Sequence, residues 1–359
     1  MSSASRLATV CVLMLLVACA QDGQTASEEV ADDGGATASA TAGATAGDTE
    51  TAEDCAAATA RASHHISGES AAHRGLEVLA EEAATRTDGR VTVEIFSDAQ
   101  LGGLAEMTEN LRSGAVEIAL IDSGSLSQFE AEFGVFDLPF LFTDMGQFND
   151  LMDGAIGEEI NERVQTEVNV APLYWSAVGL RNMFFVDATV ETPDDLAGLT
   201  MRVPEAPVWI DTFRALGTSP TAIPSGELYT ALQTGVVDGF EFPLGTAVDL
   251  KMYEPVSTMS RTGHILTNIL IAASPQFMDS LCEADRAALV EAAGVAEGRT
   301  RALWQEDNEA ADEILVEELT VVDEPDIPAF REAVEPVHTA FVEANGSALY
   351  DRIRSEIGS

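Results

Sequence analysis

Two arginines stand out for their surroundings. Arg181 lies in Gly179-Leu180-Arg181, and Arg202 in Leu199-Thr200-Met201-Arg202-Val203-Pro204, a run with no acidic residue inside it. A guanidinium is a planar fork that meets a carboxylate through two parallel hydrogen bonds. In apolar surroundings it needs an anionic partner, because a buried unpaired charge is costly. That partner is either an Asp or Glu of the chain or the carboxylate of a bound molecule. With 61 acidic residues against 18 Lys and Arg, the residues alone leave both readings open.

Signatures of catalysis are missing. The sequence has no G-x-S-x-G elbow, H-E-x-x-H pair, Walker loop, C-x-x-C pair or acidic calcium loop. The histidines fall at no metal-ligand spacing; His64 and His65 are adjacent, which on a strand points them to opposite faces. Carboxylates are so numerous that any two can be drawn as acid and base, so such a pair carries no information. The expectation is a binding protein without cofactor or metal, with an exported enzyme as a remaining alternative.

The elements that would position the arginines follow from pattern. Ala58–Ser63, Val91–Phe96 and Val116–Ile121 read as strands, separated by helices over 70–85 and 103–113. This β-α-β-α-β order predicts a largely parallel sheet with helices on both faces. The polar loop Asp122-Ser123-Gly124-Ser125 follows the third strand, where open α/β sheets place ligands; a plain connection is the other reading. Phe133–Phe142 (FGVFDLPFLF) reads as core. A helical stretch over 144–167 and a strand over 168–178 lead to Gly179-Leu180-Arg181, read as a turn into a second lobe. Thr192-Pro193 starts a helix, with Thr192 as cap and Pro193 in the first turn. A strand over 199–203, a helix over 205–216, a helix over 227–234 and a strand over 236–241 follow. A long apolar strand over 263–273 is placed to return to the first lobe, before helices over 282–318 and 328–344.

Composition sets the bounds. The chain has 359 residues, 46% hydrophobic, a formal net charge of −43, and Lys251 as its one lysine. Such a surface repels nucleic acid and anionic lipid, and also a small anion at long range, so an anion site must be locally positive. Arg6 followed by the apolar run Leu7–Ala18, too short to span a bilayer, reads as an export signal. Leu16-Val17-Ala18-Cys19 resembles the bacterial lipobox, which implies cleavage before Cys19 and lipid attachment to it. Residues 19–55 are an acidic Ala/Thr/Gly-rich stretch read as a disordered tether. Cys11 leaves with the signal, so Cys55 and Cys282 remain; an exported protein permits them to pair, and two cysteines alone leave the pairing open.

Longer motifs add to this. Gly89-Arg90-Val91-Thr92-Val93, Gln100-Leu101-Gly102, Phe136-Asp137-Leu138-Pro139-Phe140, the run Thr192–Pro204, Ala215–Pro220 and Glu227–Gly239 with Glu241 resemble the solute-binding proteins of tripartite ATP-independent periplasmic (TRAP) transporters, of the DctP type. The resemblance implies a two-lobed α/β clamshell, like other periplasmic binding proteins, with mixed sheets, helices on both faces and a long C-terminal helical region. It divides the chain into lobe I, 56–178, completed by part of 264–359; lobe II, 179–263; and a return strand and helices, 264–359, packing on both. It also implies an organic acid ligand, delivered to membrane permease subunits driven by an ion gradient. The family's carboxylate-binding arginine falls on Arg202 and a second cleft arginine on Arg181. Glu241 falls on a matched site position and Ser123 on the loop at the strand end. Two departures are Phe242, where many members carry asparagine, and Ser225, where an aromatic often lines the pocket. Phe242, with Trp209 nearby, shifts the expectation from sugar acids toward a partly apolar or aromatic acid. A receptor for an ABC importer or a sensor is the alternative within the binding class.

Overall fold

The computed structural model describes residues 55–358, so the export signal, Cys19 and the tether before Cys55 lie outside the described residues. Ten strands form one sheet: β1 Ala58–Ser63, β2 Val91–Phe96, β3 Ile118–Ile121, β4 Ala171–Phe185, β5 Thr200–Val203, β6 Ser219–Ala222, β7 Gly239–Pro243, β8 Thr258–Ser260, β9 Leu266–Ala273 and β10 Thr320–Val322. Their order is β2-β1-β3-β9-β4-β7-β5-β6, with β8 joining β4 to β10. β1 runs parallel to β2 and β3, but β9 is antiparallel to both β3 and β4. The sheet is therefore mixed rather than largely parallel, because a long-range strand inserts beside the β-α-β-α-β unit.

The segment read as a turn at Gly179 is no turn. β4 runs through it without interruption, pairing with β9 on one side and with β7 and β8 further along. The register slips between Ala177 and Gly179, which marks a bulge where the strand leaves one half of the sheet for the other. The two lobes of the α/β body thus share this strand as well as the 36-residue helix Glu283–Glu318.

Local chemistry explains the helices. Ser70 caps the helix Ala71–Arg86 by accepting from the His73 N–H, and Ala72, Leu76, Leu79 and Ala83 form its buried stripe. Asp144 caps Met145–Asp153, and Gly154 breaks the predicted 144–167 helix before Ala155–Arg163. Pro207 opens the helix Pro207–Ala215, where its missing N–H has no partner to lose. Cys282 caps the long helix and is disulfide-bonded to Cys55. Phe133, Val135, Phe136 and Leu138 are buried in the core as the pattern suggested, with Phe136 edge-on to Phe148. No helix among the described residues is long and apolar enough to cross a membrane.

Candidate functional site

A cavity of about 790 Å³ opens between the two halves of the sheet. Its walls come from the ends of β3 and β9 on one side, and from β5, β7, Trp209, the end of β6 and the start of the helix Ser225–Gln233 on the other. Arg202 projects from β5, itself 3% exposed. Its Nε donates to the Ile223 carbonyl at 2.7 Å and its Nη2 to the Ser225 hydroxyl at 3.1 Å. Among the described residues no carboxylate lies within ion-pairing distance of Arg202, and its Nη1 makes no hydrogen bond. Burial pulls its pKa down to about 10, with the Arg181 charge adding to the shift and Glu241 opposing it. This is a guanidinium held in place and short of an anion.

Arg181 differs. Antiparallel pairing sets Arg181 against Pro243 and Met183 against Glu241, so Arg181 and Glu241 are diagonal neighbours. The guanidinium grips the Glu241 carboxylate through both Nε and Nη2, the latter at 2.8 Å from Oε1. Nη2 also donates to the Glu241 carbonyl at 2.6 Å, and Nη1 to Thr267 Oγ1 at 2.9 Å. Burial would push the Glu241 pKa up, but Arg181 and then His264 overcome it and hold it below the usual carboxylate range. Arg181 lines the cavity; Glu241, fully buried, does not. The structure places Glu241 behind Arg181, outside the cavity lining, with its carboxylate held by that guanidinium.

Aromatic rings complete this wall. The Arg181 guanidinium lies 4.5 Å from the Trp209 ring centroid and 5.1 Å from that of Phe242, and Arg202 lies 5.3 Å from Phe242. A cation over an aromatic face is attracted by the ring quadrupole, so Phe242 supports both guanidiniums while it also lines the cavity. Ser225 lines the cavity beside Arg202.

Beside this wall lie the predicted Ser123 with Asp122, together with Asp137 and Asn268, which the sequence did not single out as site residues. The segment read as a polar loop is a short helix, Ser123–Leu126, capped by Asp122; Ser123 donates to Asp137 Oδ1 at 2.6 Å and accepts from Asn268 Nδ2 at 2.8 Å. Asp122 accepts from the Ser125 N–H at 2.7 Å. Burial pushes the Asp137 pKa up to about 7, the Asp122 charge adding to this, while Ser123, Arg181 and Trp209 oppose it. His65 and Trp304 also line the cavity. His65 sits beyond the end of β1, not on a strand, and burial first, then Arg202, lowers its pKa to about 4, so its imidazole is neutral at neutral pH. One sequence signal could have found Asp137: it is a lone charge within an apolar run, as Arg202 is. The possible metal-ligand cluster among the described residues is Cys55, Cys282 and Asp285, and its two cysteines are already joined as a disulfide.

A two-lobed α/β body with a buried, anion-seeking arginine in an interlobe cavity defines a solute-binding receptor. Residues 62–345 match the bacterial extracellular solute-binding protein family 7, DctP, and the chain belongs to that family. A solute-binding protein of Verminephrobacter eiseniae is 33% identical over 294 residues, covering 81% of this chain and 88% of that one. A TRAP periplasmic solute-binding protein of Chromohalobacter salexigens, solved with bound D-glucuronate, superposes with a TM-score of 0.80 at 29% identity, covering 82% and 99% of the two chains. The sugar acid binding protein of Advenella mimigardefordensis, solved with galactonate, gives a TM-score of 0.81 at 26% identity, covering 85% and 99%. The family consists of receptors, not enzymes.

Proposed function

We propose that this receptor captures a hydroxylated organic acid by its carboxylate and hands it to the permease of a TRAP transporter. The observation that carries the reading is Arg202, 3% exposed, with no ion-pair partner among the described residues, lining a cavity of about 790 Å³. A ligand carboxylate supplies the missing anion, and lobe closure removes water so that the pair gains strength. Arg181, fixed by Glu241, is a positioning charge that also biases the cavity toward anions. Ser225 orients Arg202, and Trp209 and Phe242 form an apolar edge beneath the two guanidiniums. Phe242 alone argued for a partly apolar acid. The polar wall of Asp122, Ser123, Asp137 and Asn268, and the sugar acids held by related receptors, support a hydroxylated one instead.

In this reading lobe I comprises 56–178 with part of 264–359, and lobe II comprises 179–263. The export signal 1–18 and the lipobox-like sequence ending at Cys19 support a lipid anchor on that cysteine, with the tether holding the receptor at the outer face of the membrane. Calorimetric titration with a panel of sugar acids tests the ligand assignment. Arg202→Ala is expected to weaken binding of any acid that the parent protein binds by at least about a hundredfold, the scale of losing a charge-assisted bidentate contact. Binding within twofold of the parent would remove Arg202 from the anchor role.

A further inference from the structure

The cavity that Arg202 lines also carries two carboxylates, Asp122 and Asp137, which feel the Arg181 charge but form no ion pair with it. The point where a side-chain carbon on Gly124 would sit is 3.5 Å from Asp137 Oδ2 and 3.6 Å from Asp122 Oδ1, so these oxygens are at most about 7 Å apart. Asp137 is 4% exposed, and both residues line the same cavity as Arg202. Among the described residues no Lys, Arg or His forms an ion pair with either; the nearby Arg181 is committed to Glu241. Their neighbours are donors that fix them: the Ser123 hydroxyl, itself held by Asn268, on Asp137, and the Ser125 N–H on Asp122. The cavity therefore combines an arginine that seeks an anion with a pair of carboxylates that presents acceptors and negative charge.

We propose that the Asp122–Asp137 pair is the specificity determinant that restricts this receptor to monocarboxylates bearing hydroxyl groups and excludes dicarboxylates. The inference rests on the reading of Arg202 as the carboxylate anchor. A ligand hydroxyl donates to the acceptors of the pair. A second carboxylate there adds negative charge beside the pair in a site of low dielectric, where the nearest guanidinium, Arg181, is already gripped by Glu241, and the repulsion rejects it. Burial and mutual repulsion leave the pair holding a proton near neutral pH, which adds one donor for a hydroxyl oxygen without supplying the positive charge that a carboxylate needs.

The test uses acids of equal chain length that differ at one end: D-galactonate against galactarate, and D-erythronate against meso-tartrate, titrated calorimetrically at pH 8 into the parent protein, Asp137→Asn and Asp122→Asn. The asparagines keep the acceptors for Ser123 and for the Ser125 N–H, and thermal melting checks that each variant folds. In the parent, the monoacid of at least one pair is expected to bind at least a hundredfold more tightly than its diacid, and each substitution is expected to reduce that ratio at least tenfold. A diacid binding within tenfold of its monoacid, or a ratio that neither substitution moves, overturns the inference and leaves the receptor reading intact. If no member of either pair binds, the hydroxy-acid reading of the site fails, and this inference fails with it.

Discussion

Asp137 illustrates how one buried acid couples the site to pH. Burial raises its pKa from the usual 3.8 to about 7, with Asp122 adding to the shift. In the unfolded chain the same group ionises near its ordinary value. Between about pH 4 and pH 7 the folded state therefore holds the extra proton, and stability falls as pH rises through that window. Above pH 7 the ionised carboxylate remains as a destabilising load; below pH 4 the load is absent. Asp137→Asn removes it while keeping the acceptor for Ser123. The variant is expected to match the parent at pH 4 and to gain on the order of 2–4 kcal/mol over it at pH 8, measured by urea denaturation. A stability difference that does not change with pH would refute this assignment. Arg202 was legible in the sequence because a charge without acidic neighbours in an apolar strand is conspicuous. Asp137 gave the same signal but was absorbed into an aromatic run that is otherwise core. The Arg181–Glu241 pair was illegible, since it depends on β4–β7 register, and among 61 acidic residues spacing cannot choose a partner.

At the scale of elements, the helix Ala71–Arg86 lies against the long helix Glu283–Glu318 at an unusually close contact. A side-chain carbon added at Gly75 would sit 2.0 Å from Thr300 Oγ1 and 3.1 Å from its Cβ. Thr300 cannot swing away freely, because its hydroxyl donates to the Ala296 carbonyl at 2.7 Å and meets the Tyr174 hydroxyl at 3.2 Å. On helix propensity alone Gly75→Ala would stabilise by about 1 kcal/mol. Overpacking of this kind costs about 1–3 kcal/mol or more, so the net effect is expected to be destabilising by about 1–2 kcal/mol in urea unfolding. Adding Thr300→Ala removes the clashing hydroxyl, so the double variant should recover relative to the sum of the two single changes; simple additivity would refute this account of the contact. Capped, amphipathic elements such as this helix were legible from pattern. The passage of β4 through Gly179 was not, because a glycine two residues before a charged one reads locally as a turn and only pairing with β9 and β7 keeps the strand extended. β6, Ser-Pro-Thr-Ala with both end residues exposed, has no alternating pattern at all and exists because β5 offers it a parallel edge.

The whole molecule presents a conflict that its site must overcome. The chain carries a formal net charge of −43, so an anionic ligand approaches against a repulsive field, yet the cavity that receives it holds two buried guanidiniums. The two interactions differ in range. The surface field acts over many ångströms through water and is screened when the Debye length shrinks from about 10 Å at 0.1 M salt to about 3 Å at 1 M. The contact with Arg202 forms inside a water-excluding cavity, where screening is weak. Raising the ionic strength should therefore accelerate capture and leave release nearly unchanged, the reverse of the behaviour of a binding protein whose surface attracts its ligand. For D-galactonate, or whichever monoacid the calorimetric panel selects, the association rate constant is expected to rise about three- to tenfold between roughly 0.02 M and 0.5 M sodium chloride. The dissociation rate constant should change by less than about twofold. Stopped-flow fluorescence can follow both, because Trp209 and Trp304 line the cavity and report its occupation directly. An association rate that falls with added salt would mean that the positive wall of Arg181 and Arg202 projects its field beyond the cleft, and that local rather than net charge governs the encounter.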